Sequence, residues 1–317
     1  MKPDGMDGYT EINGSLGSDY HVPVLWTESL DGLAIKSDGV YVDCTMGGGG
    51  HTRGILSKLG PNGKLFAFDQ DADAVKNLPN DPRLVFIPQN FRHIHRFLRL
   101  HHVKEIDGLL ADLGVSSHQF DEAGRGFSIR FEAKLDMRMD VKQSKTAAQV
   151  IQTYSEANLQ KIFSAYGEVT NAKTLAKCIV HQRSLMSLET IESFKSAIHD
   201  VVMGNPNKYL AKVFQALRIE VNDELNALND LLEQTNSLVK SGGRIAIITF
   251  HSLEDRMVKQ FIRSGTNHED QMEKDLFGNK QDSPWKLVNK KPIEATEIEK
   301  RQNPRSRSAR LRVAEKK

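Results

Sequence analysis

Four consecutive glycines, Gly47 to Gly50, separate a strand-like run ending in Tyr41-Val42-Asp43-Cys44-Thr45-Met46 from a helix-like segment that opens at His51. The next strand closes on an acid, at Phe66-Ala67-Phe68-Asp69. Glycines lack a Cβ, so a strand-to-helix turn built from them can press backbone N–H groups against a ligand, and an acid about 20 residues further on can accept from ribose hydroxyls. The pattern predicts an adenosyl-binding crevice.

The loop's spacing bears on which adenosyl ligand it holds. A dinucleotide fingerprint requires G-x-G-x-x-G, so that a pyrophosphate can sit on the helix N-terminus. Counting from Gly47 and Gly49 the third glycine position is Thr52, and counting from Gly48 and Gly50 it is Arg53. S-adenosylmethionine carries a sulfonium and a carboxylate in place of phosphates, and an acid ahead of the loop, Asp43, suits it better. A nicotinamide-dependent oxidoreductase is the rival reading, which the loop disfavours.

Strand-like runs recur at Val40 to Cys44, Leu65 to Phe68, Leu84 to Ile87 and Asp107 to Ala111, with helix-length segments between them. This alternation implies a parallel sheet whose right-handed crossovers set Asp43, Asp69, Phe91 and Asp112 along one rim. From about Arg125 to Lys212 the apolar residues follow helical spacing only, in stretches punctuated by Gly167 and by Gly204-Asn205-Pro206. We therefore expect a tail over 1–20, a first part of the α/β domain over 21–124, a helical insert over 125–212 and a second part over 213–317. In that last part a helix around Phe214 to Leu225 should lead to an end at Gly242-Gly243. A buried strand is expected at Arg244 to Phe250, a polar loop at Asn267 to Ser283, and final strands near Trp285 to Lys290 and Ala309 to Val313.

The net charge of +2 hides an asymmetry: from Lys300 to Lys317 there are eight Lys/Arg against one acid. Arg305, Arg307 and Arg310 run into alternating Leu311 and Val313, which predicts an ordered basic edge facing RNA phosphates. The histidine-rich run from Phe91 to His102 has helical spacing and no carboxylate or cysteine at ligand spacing, so we assign a polar helix face and no metal site. With two cysteines, no apolar run near membrane-span length and no signal or transit pattern over Met1 to Ser18, the expected address is cytoplasmic, without a membrane partner or a disulfide framework.

Two segments at strand ends carry candidate chemistry. Asp112-Leu113-Gly114-Val115-Ser116-Ser117-His118-Gln119 leaves the fourth strand on the same rim as Asp43 and Asp69. His251-Ser252-Leu253-Glu254-Asp255-Arg256 follows the fifth, with Ser252 placed to cap a helix and Asp255 three residues on. Phe250, His251 and Arg256 are then available to stack on an extruded base.

His21-Val22-Pro23-Val24-Leu25, the glycine loop, Asp112 to Ser117, Arg125-Gly126-Phe127-Ser128 and Leu135-Asp136-Met137-Arg138-Met139-Asp140 occur in one chain, in that order. Tyr166-Gly167-Glu168, Phe214-Gln215-Ala216-Leu217-Arg218-Ile219, Phe250 through Arg256 and Asn303-Pro304-Arg305-Ser306-Arg307-Ser308 complete the series. From about His21 to Arg312 the chain resembles the bacterial 16S rRNA cytosine-N4 methyltransferase family. The resemblance implies a class I S-adenosylmethionine-dependent methyltransferase fold, Rossmann-like, with a mostly parallel seven-stranded sheet and an inserted all-helical domain. Its implied substrate is a cytosine in the decoding centre of 16S rRNA, and its partner that RNA or the small ribosomal subunit. By position, the implied S-adenosyl-L-methionine contacts are Gly49, Gly50, His51, Asp69, Phe91, Asp112 and Gln119. The chain departs from the family at Asn207 to Val213, where a His-Pro-Ala-Thr-Arg-like stretch is usual, and at Lys134 and His118, where proline is usual.

Transfer to an exocyclic amine is an in-line displacement that needs alignment and a proton acceptor, for which Asp112 is the candidate. Methylation at C5 would need a thiolate, and neither Cys44 nor Cys178 stands in a Pro-Cys context. A noncatalytic RNA-binding assembly factor that retains the fold is the remaining alternative.

Overall fold

The computed structural model describes residues 23–268 and 282–317. The expected tail over 1–20, His21 and Val22 of the first motif, and residues 269–281 of the expected polar loop lie outside the described residues. Eight strands form one sheet: β1 (Val40–Asp43), β2 (Lys64–Phe68), β3 (Leu84–Ile87), β4 (Ile106–Asp112), β5 (Val239–Thr249), β6 (Trp285–Leu287), β7 (Ile293–Glu294) and β8 (Arg310–Lys316). Their order is β3-β2-β1-β4-β5-β8-β6, with β7 paired to β8 off this path. Strands β1 to β5 pair in parallel, while β8 runs antiparallel to β5, β6 and β7. The two-residue β7 makes the count one more than the seven expected, and is too short to leave a periodic signal.

The strands alternate between two covered faces, as period-two side chains must. Tyr41, Leu65, Leu110 and Ile248 pack with Leu30, Leu33, Ile55 and Leu56 from α1 (Trp26–Leu33) and α2 (Gly50–Lys58). Val42, Phe66, Leu109 and Ile247 face the other way, against Ile94 and Leu98 of α3 (Ile94–Leu100) and residues of two later helices. Between β2 and β3 there is a 3-10 turn, Ala72–Asn77, rather than a full helix.

After β4 and the short α4 (Ser117–Asp121) come α5 (Ala147–Thr153), α6 (Glu156–Ala165), α7 (Ala172–Gln182), α8 (Ile191–Ile198) and α9 (Pro206–Asn222). These enclose their own apolar cluster, running from Phe127 through Phe163, Phe194 and Phe214 to Val221. The helix expected around Phe214 to Leu225 is two helices, because Asp223 adopts φ 52 between α9 and α10 (Glu224–Leu238). Arg92 Nη1 donates to the Asp223 carboxylate at 2.8 Å and Asn226 Nδ2 at 2.6 Å, which holds the turn. Gly242-Gly243 does not end the helix either: α10 stops at Leu238 and Val239 already pairs with Ile106. The glycines form an irregularity inside β5, with Gly242 at φ 74, before pairing resumes at Arg244. The chain continues through α11 (Ser252–Ser264) and α12 (Glu297–Gln302).

Asn222, the last residue of α9, joins the helical unit to the loop that leads into it. Its Oδ1 accepts from Met139 N at 2.7 Å, and its Nδ2 donates to Met137 O at 2.8 Å and to Arg218 O at 2.9 Å. Asn222→Ala leaves a buried donor and acceptor unmatched, at a cost of about 1–3 kcal/mol for each such group. Urea denaturation should show the lowered midpoint, and an unchanged midpoint would disprove this role for the amide.

Candidate active site

The glycine loop is shaped by two carboxylates. Asp43, fully buried at the end of β1, accepts from Thr45 N at 3.0 Å and from the Thr52 hydroxyl at 2.6 Å. Asp69 follows β2 and accepts from Gly47 N at 2.7 Å and from Asp71 N at 2.8 Å. Gly47 and Gly49 have φ of 47 and 76, values that glycine adopts without steric cost. A Cβ on Gly50 would lie 2.2 Å from Pro23 Cγ, so the loop is close-packed as well as left-handed. Helix α2 starts at this loop with no side-chain cap.

The rim at the carboxyl ends of the strands encloses a cavity of about 540 Å³. It is lined by Gly47, Gly48, Gly50, His51, Asp69, Phe91, Asp112, Gln119 and Phe250, which brings together most of the expected site. Gly49 is not in the lining; it is the buried residue preceding α2, where an added Cβ would come 2.7 Å from Arg53 Nη1. Gln119 lies at the wall, but its amide is engaged: Nε2 donates to Asp71 Oδ2 at 2.7 Å and Oε1 accepts from Ser116 N at 3.1 Å. A second cavity of about 310 Å³ is lined by Phe250, His251, Arg307 and Arg310 among others, so the Phe250 ring borders both. Arg256 lines neither; it is exposed and 3.6 Å from Glu168.

The helix after β5 is capped differently from expectation. His251, not Ser252, precedes α11, and it forms a capping box with Glu254; Ser252 is the helix's first residue and donates to Glu168 at 3.3 Å. The imidazole supplies the acceptor, an option outside the usual Ser, Thr, Asp and Asn set. Of the basic edge, Arg305 reaches the first cavity, pairs with Asp121 at 2.6 Å and lies over the Phe120 ring at 5.4 Å. Arg307 and Arg310 are both exposed, and Arg310 is 3.4 Å from Asp255 and 3.6 Å from Glu294.

Residues that the sequence reading passed over also shape the site. Arg125 Nη1 is 2.8 Å from Asp71 Oδ2, and its Nη2 donates to the carbonyls of Arg138 and Met139 at 3.0 and 3.1 Å. This guanidinium therefore connects the Asp69 turn to the segment leading into the helical unit. Glu224 and Glu254 line the cavity, with Arg218 donating Nε and Nη2 to Glu224 at 2.9 and 3.0 Å. Glu224, His251 and Glu254 bring ligand atoms within 4.8 Å of one another, but Arg218 already answers the charge of this group. Only the acid three residues into His-Ser-Leu-Glu, the spacing of a capping box, could have pointed to Glu254.

Burial dominates the electrostatics. It raises Asp43 and Asp69 to about 6 despite the hydrogen bonds each accepts. It holds Asp112 well above the usual carboxylate range, with the charges of Asp43 and Glu254 adding to the effect. His51 is pushed down to about 4 by burial, so its Nδ1, 3.7 Å from Asp112 Oδ2, belongs to a neutral ring and the contact is no salt bridge. Burial would raise Glu254 as well, but His251, Arg218 and the Phe250 N–H outweigh it and hold Glu254 below its ordinary value. Asp69, Asp73, Asp112, Asp121, Glu224 and Glu254 line the cavity against Lys76 and Arg305, and those two cations are paired with Asp73 and Asp121. Such a wall suits a ligand carrying positive charge and opposes a pyrophosphate. Asp112 Oδ1 is buried and, among the described residues, has no hydrogen-bond partner.

The sheet order, the reversal of β8 and the acid-rimmed glycine loop define a class I methyltransferase with S-adenosyl-L-methionine as its methyl donor. The chain belongs to the MraW methylase family, which it matches over residues 18–317. It is 53% identical over 299 residues to the ribosomal RNA small subunit methyltransferase H of Bacteroides fragilis, covering 94% of this chain and 98% of that one. The protein of the same name from Cytophaga hutchinsonii is 54% identical over 300 residues, covering 94% and 99%. Among the described residues no helix is long and apolar enough to cross a membrane.

The raised Asp43 carries a stability consequence. A carboxyl with a folded value of about 6 and an unfolded value near 3.8 binds its proton better in the folded state, so its contribution falls as pH rises from about 4 to about 6 and stays lost above. Between pH 4 and pH 7 the wild type should lose roughly 2–3 kcal/mol relative to Asp43→Asn, measured by urea unfolding at each pH. Parallel stability curves for the two proteins would contradict this.

Proposed function

We propose that this protein transfers a methyl group to the exocyclic N4 of a cytosine in the decoding centre of small-subunit ribosomal RNA, with Asp112 accepting the proton that the amine sheds. The observation that carries the reading is the Asp112 carboxyl, partly exposed in the cavity lining, to which no group among the described residues donates a hydrogen bond. S-adenosyl-L-methionine supplies an electrophilic methyl carbon when bound. In this reading Asp69 accepts from ribose hydroxyls, Phe91 lies against adenine, and Gly50, His51 and Asp112 surround the methionine end, while Gly49 supports the loop from behind. Gln119 acts through Asp71, which it holds beside the Asp69 turn.

The second cavity is assigned to the nucleic acid, with Phe250 offering a ring for the target base and His251, Arg307 and Arg310 the polar wall. Arg256, at the surface, and Arg305, at the mouth of the first cavity, extend this basic side. An amine target is favoured over ring C5 because Cys44 is buried, with its thiol held well above its ordinary value by burial and by Asp43, and Cys178 hydrogen-bonds to Ala197 O in the helical unit. The names of the relatives support ribosomal RNA of the small subunit as the substrate.

Labelled methyl from the donor should appear on small-subunit RNA, and nucleoside analysis should find it on N4 of cytosine. Label on C5, or RNA binding without any transfer, would overturn the proposal, the latter in favour of an assembly factor. Asp112→Ala should lower turnover about 100-fold or more while RNA affinity holds, the range expected for loss of a proton acceptor. Neutralising Arg305, Arg307 and Arg310 should weaken RNA binding and flatten its salt dependence, with Arg307 contributing most because the other two are already engaged by acids. An unchanged slope would remove these arginines from the interface.

A further inference from the structure

A buried carboxylate oxygen with no donor is costly unless a cation answers it or a proton neutralises it. Among the described residues nothing donates to Asp112 Oδ1 and no cation pairs with the carboxyl. The ionisable groups that face this carboxyl are the neutral His51 on α2, Asp43 on β1 and Glu254 on α11. Behind Glu254, the Arg218 guanidinium is committed to Glu224 and His251 lies 3.2 Å from Glu254. Asp43 and Asp69 differ from Asp112 in kind, since each accepts two hydrogen bonds on its carboxylate. Only the Thr45 hydroxyl reaches Asp112 from the loop, and it accepts from the backbone N–H at 2.7 Å rather than serving the carboxyl.

The methyl donor and its spent product differ by a methyl group and by the charge on sulfur, a sulfonium in one and a neutral thioether in the other. We propose that Asp112 tells them apart by proton exchange: its carboxyl holds a proton in the free pocket and beside the thioether, and is ionised beside the sulfonium. This rests on the reading that the cavity holds S-adenosyl-L-methionine. Burial and the neighbouring acid charges, which hold this carboxyl above its ordinary range, act in the same direction.

The assignment links cofactor exchange to transfer. Entry of the donor expels one proton from Asp112 to solvent. During transfer the S–C bond breaks with its electron pair staying on sulfur, the N–C bond forms, and the amine N–H proton passes to the Asp112 carboxylate. The carboxylate loses its counter-cation as that proton arrives, so no uncompensated charge remains in the pocket. Donor affinity should then rise with pH, and product affinity should not.

The test uses the full chain without RNA, so failure to modify ribosomal RNA and failure of this proposal are separately visible. Titration calorimetry with S-adenosylmethionine and with S-adenosylhomocysteine, in buffers of different ionisation enthalpy, counts the protons exchanged. Relative to the product, the donor should release close to one proton. Its affinity advantage should climb toward tenfold per pH unit until Asp112 ionises in both complexes. In Asp112→Asn the advantage should be independent of pH. Equal proton counts in the wild type, or a pH dependence that survives in Asp112→Asn, would overturn the proposal. Should that variant not fold, infrared difference spectra of the wild type decide: a protonated-carboxyl band is expected with the product and lost with the donor, and a band unaffected by the ligand contradicts it.

Discussion

Two carboxylates hold the glycine loop in place, and the rest of the site depends on that clamp. A run of four glycines has more conformational freedom to lose than any other sequence of its length, and α2 offers no side-chain cap to fix it. Asp43 grips the loop from β1 through Thr45 and Thr52, and Asp69 grips it from β2 through Gly47. Both acids stand at strand ends, so the sheet itself fixes their spacing. From Asp69 the constraint passes to Asp71, then through Arg125 to Met139, and from Met139 to Asn222 at the end of α9. The helical unit is thus tied by hydrogen bonds to the turn that carries the acid beside the cavity.

That clamp has an electrostatic cost, which concentrates at the cavity. Carboxylates fixed by backbone N–H groups at strand ends are buried, and burial raises them even where hydrogen bonds oppose it. One of the two, Asp69, also lines the cavity, so part of the acid there comes from how the loop is held. That acid makes the pocket hospitable to a cation, so support of the loop and preference for a charged donor share part of their origin. The cations nearby answer part of it, Arg218 pairing with Glu224, Lys76 with Asp73 and Arg305 with Asp121, which leaves Asp69 and Asp112 without a cation among the described residues.

Much of this architecture was legible in the sequence because it rests on periodicity and on glycine. The strands at Val40, Leu65, Leu84 and Asp107 alternate across two buried faces, and the loop residues announce themselves by composition. What escaped were features set by single residues in tertiary context. The break at Asp223 is held in part by Arg92, 131 residues distant, and an aspartate inside an apolar periodic run only weakly signals left-handed geometry. Val239 joins β5 ahead of Gly242-Gly243 because Ile106 is there to pair with it, which a helix-stop rule cannot foresee. Within the site, strand-end acids and Phe91 followed from topology, while the engagement of Gln119 by Asp71 and the part played by Arg125 follow from contacts between segments far apart in sequence. The cap on α11 went to His251 rather than Ser252 for a similar reason, since Glu254 completes the box from three residues on.

Phe250 lines both cavities and packs against Gly114, where an added Cβ would lie 3.5 Å from its ring. A guest in one and a ligand in the other would therefore share this residue as a wall. Their fit becomes a shared property of one torsion angle, and any crowding that rotates this ring in one chamber reshapes the other.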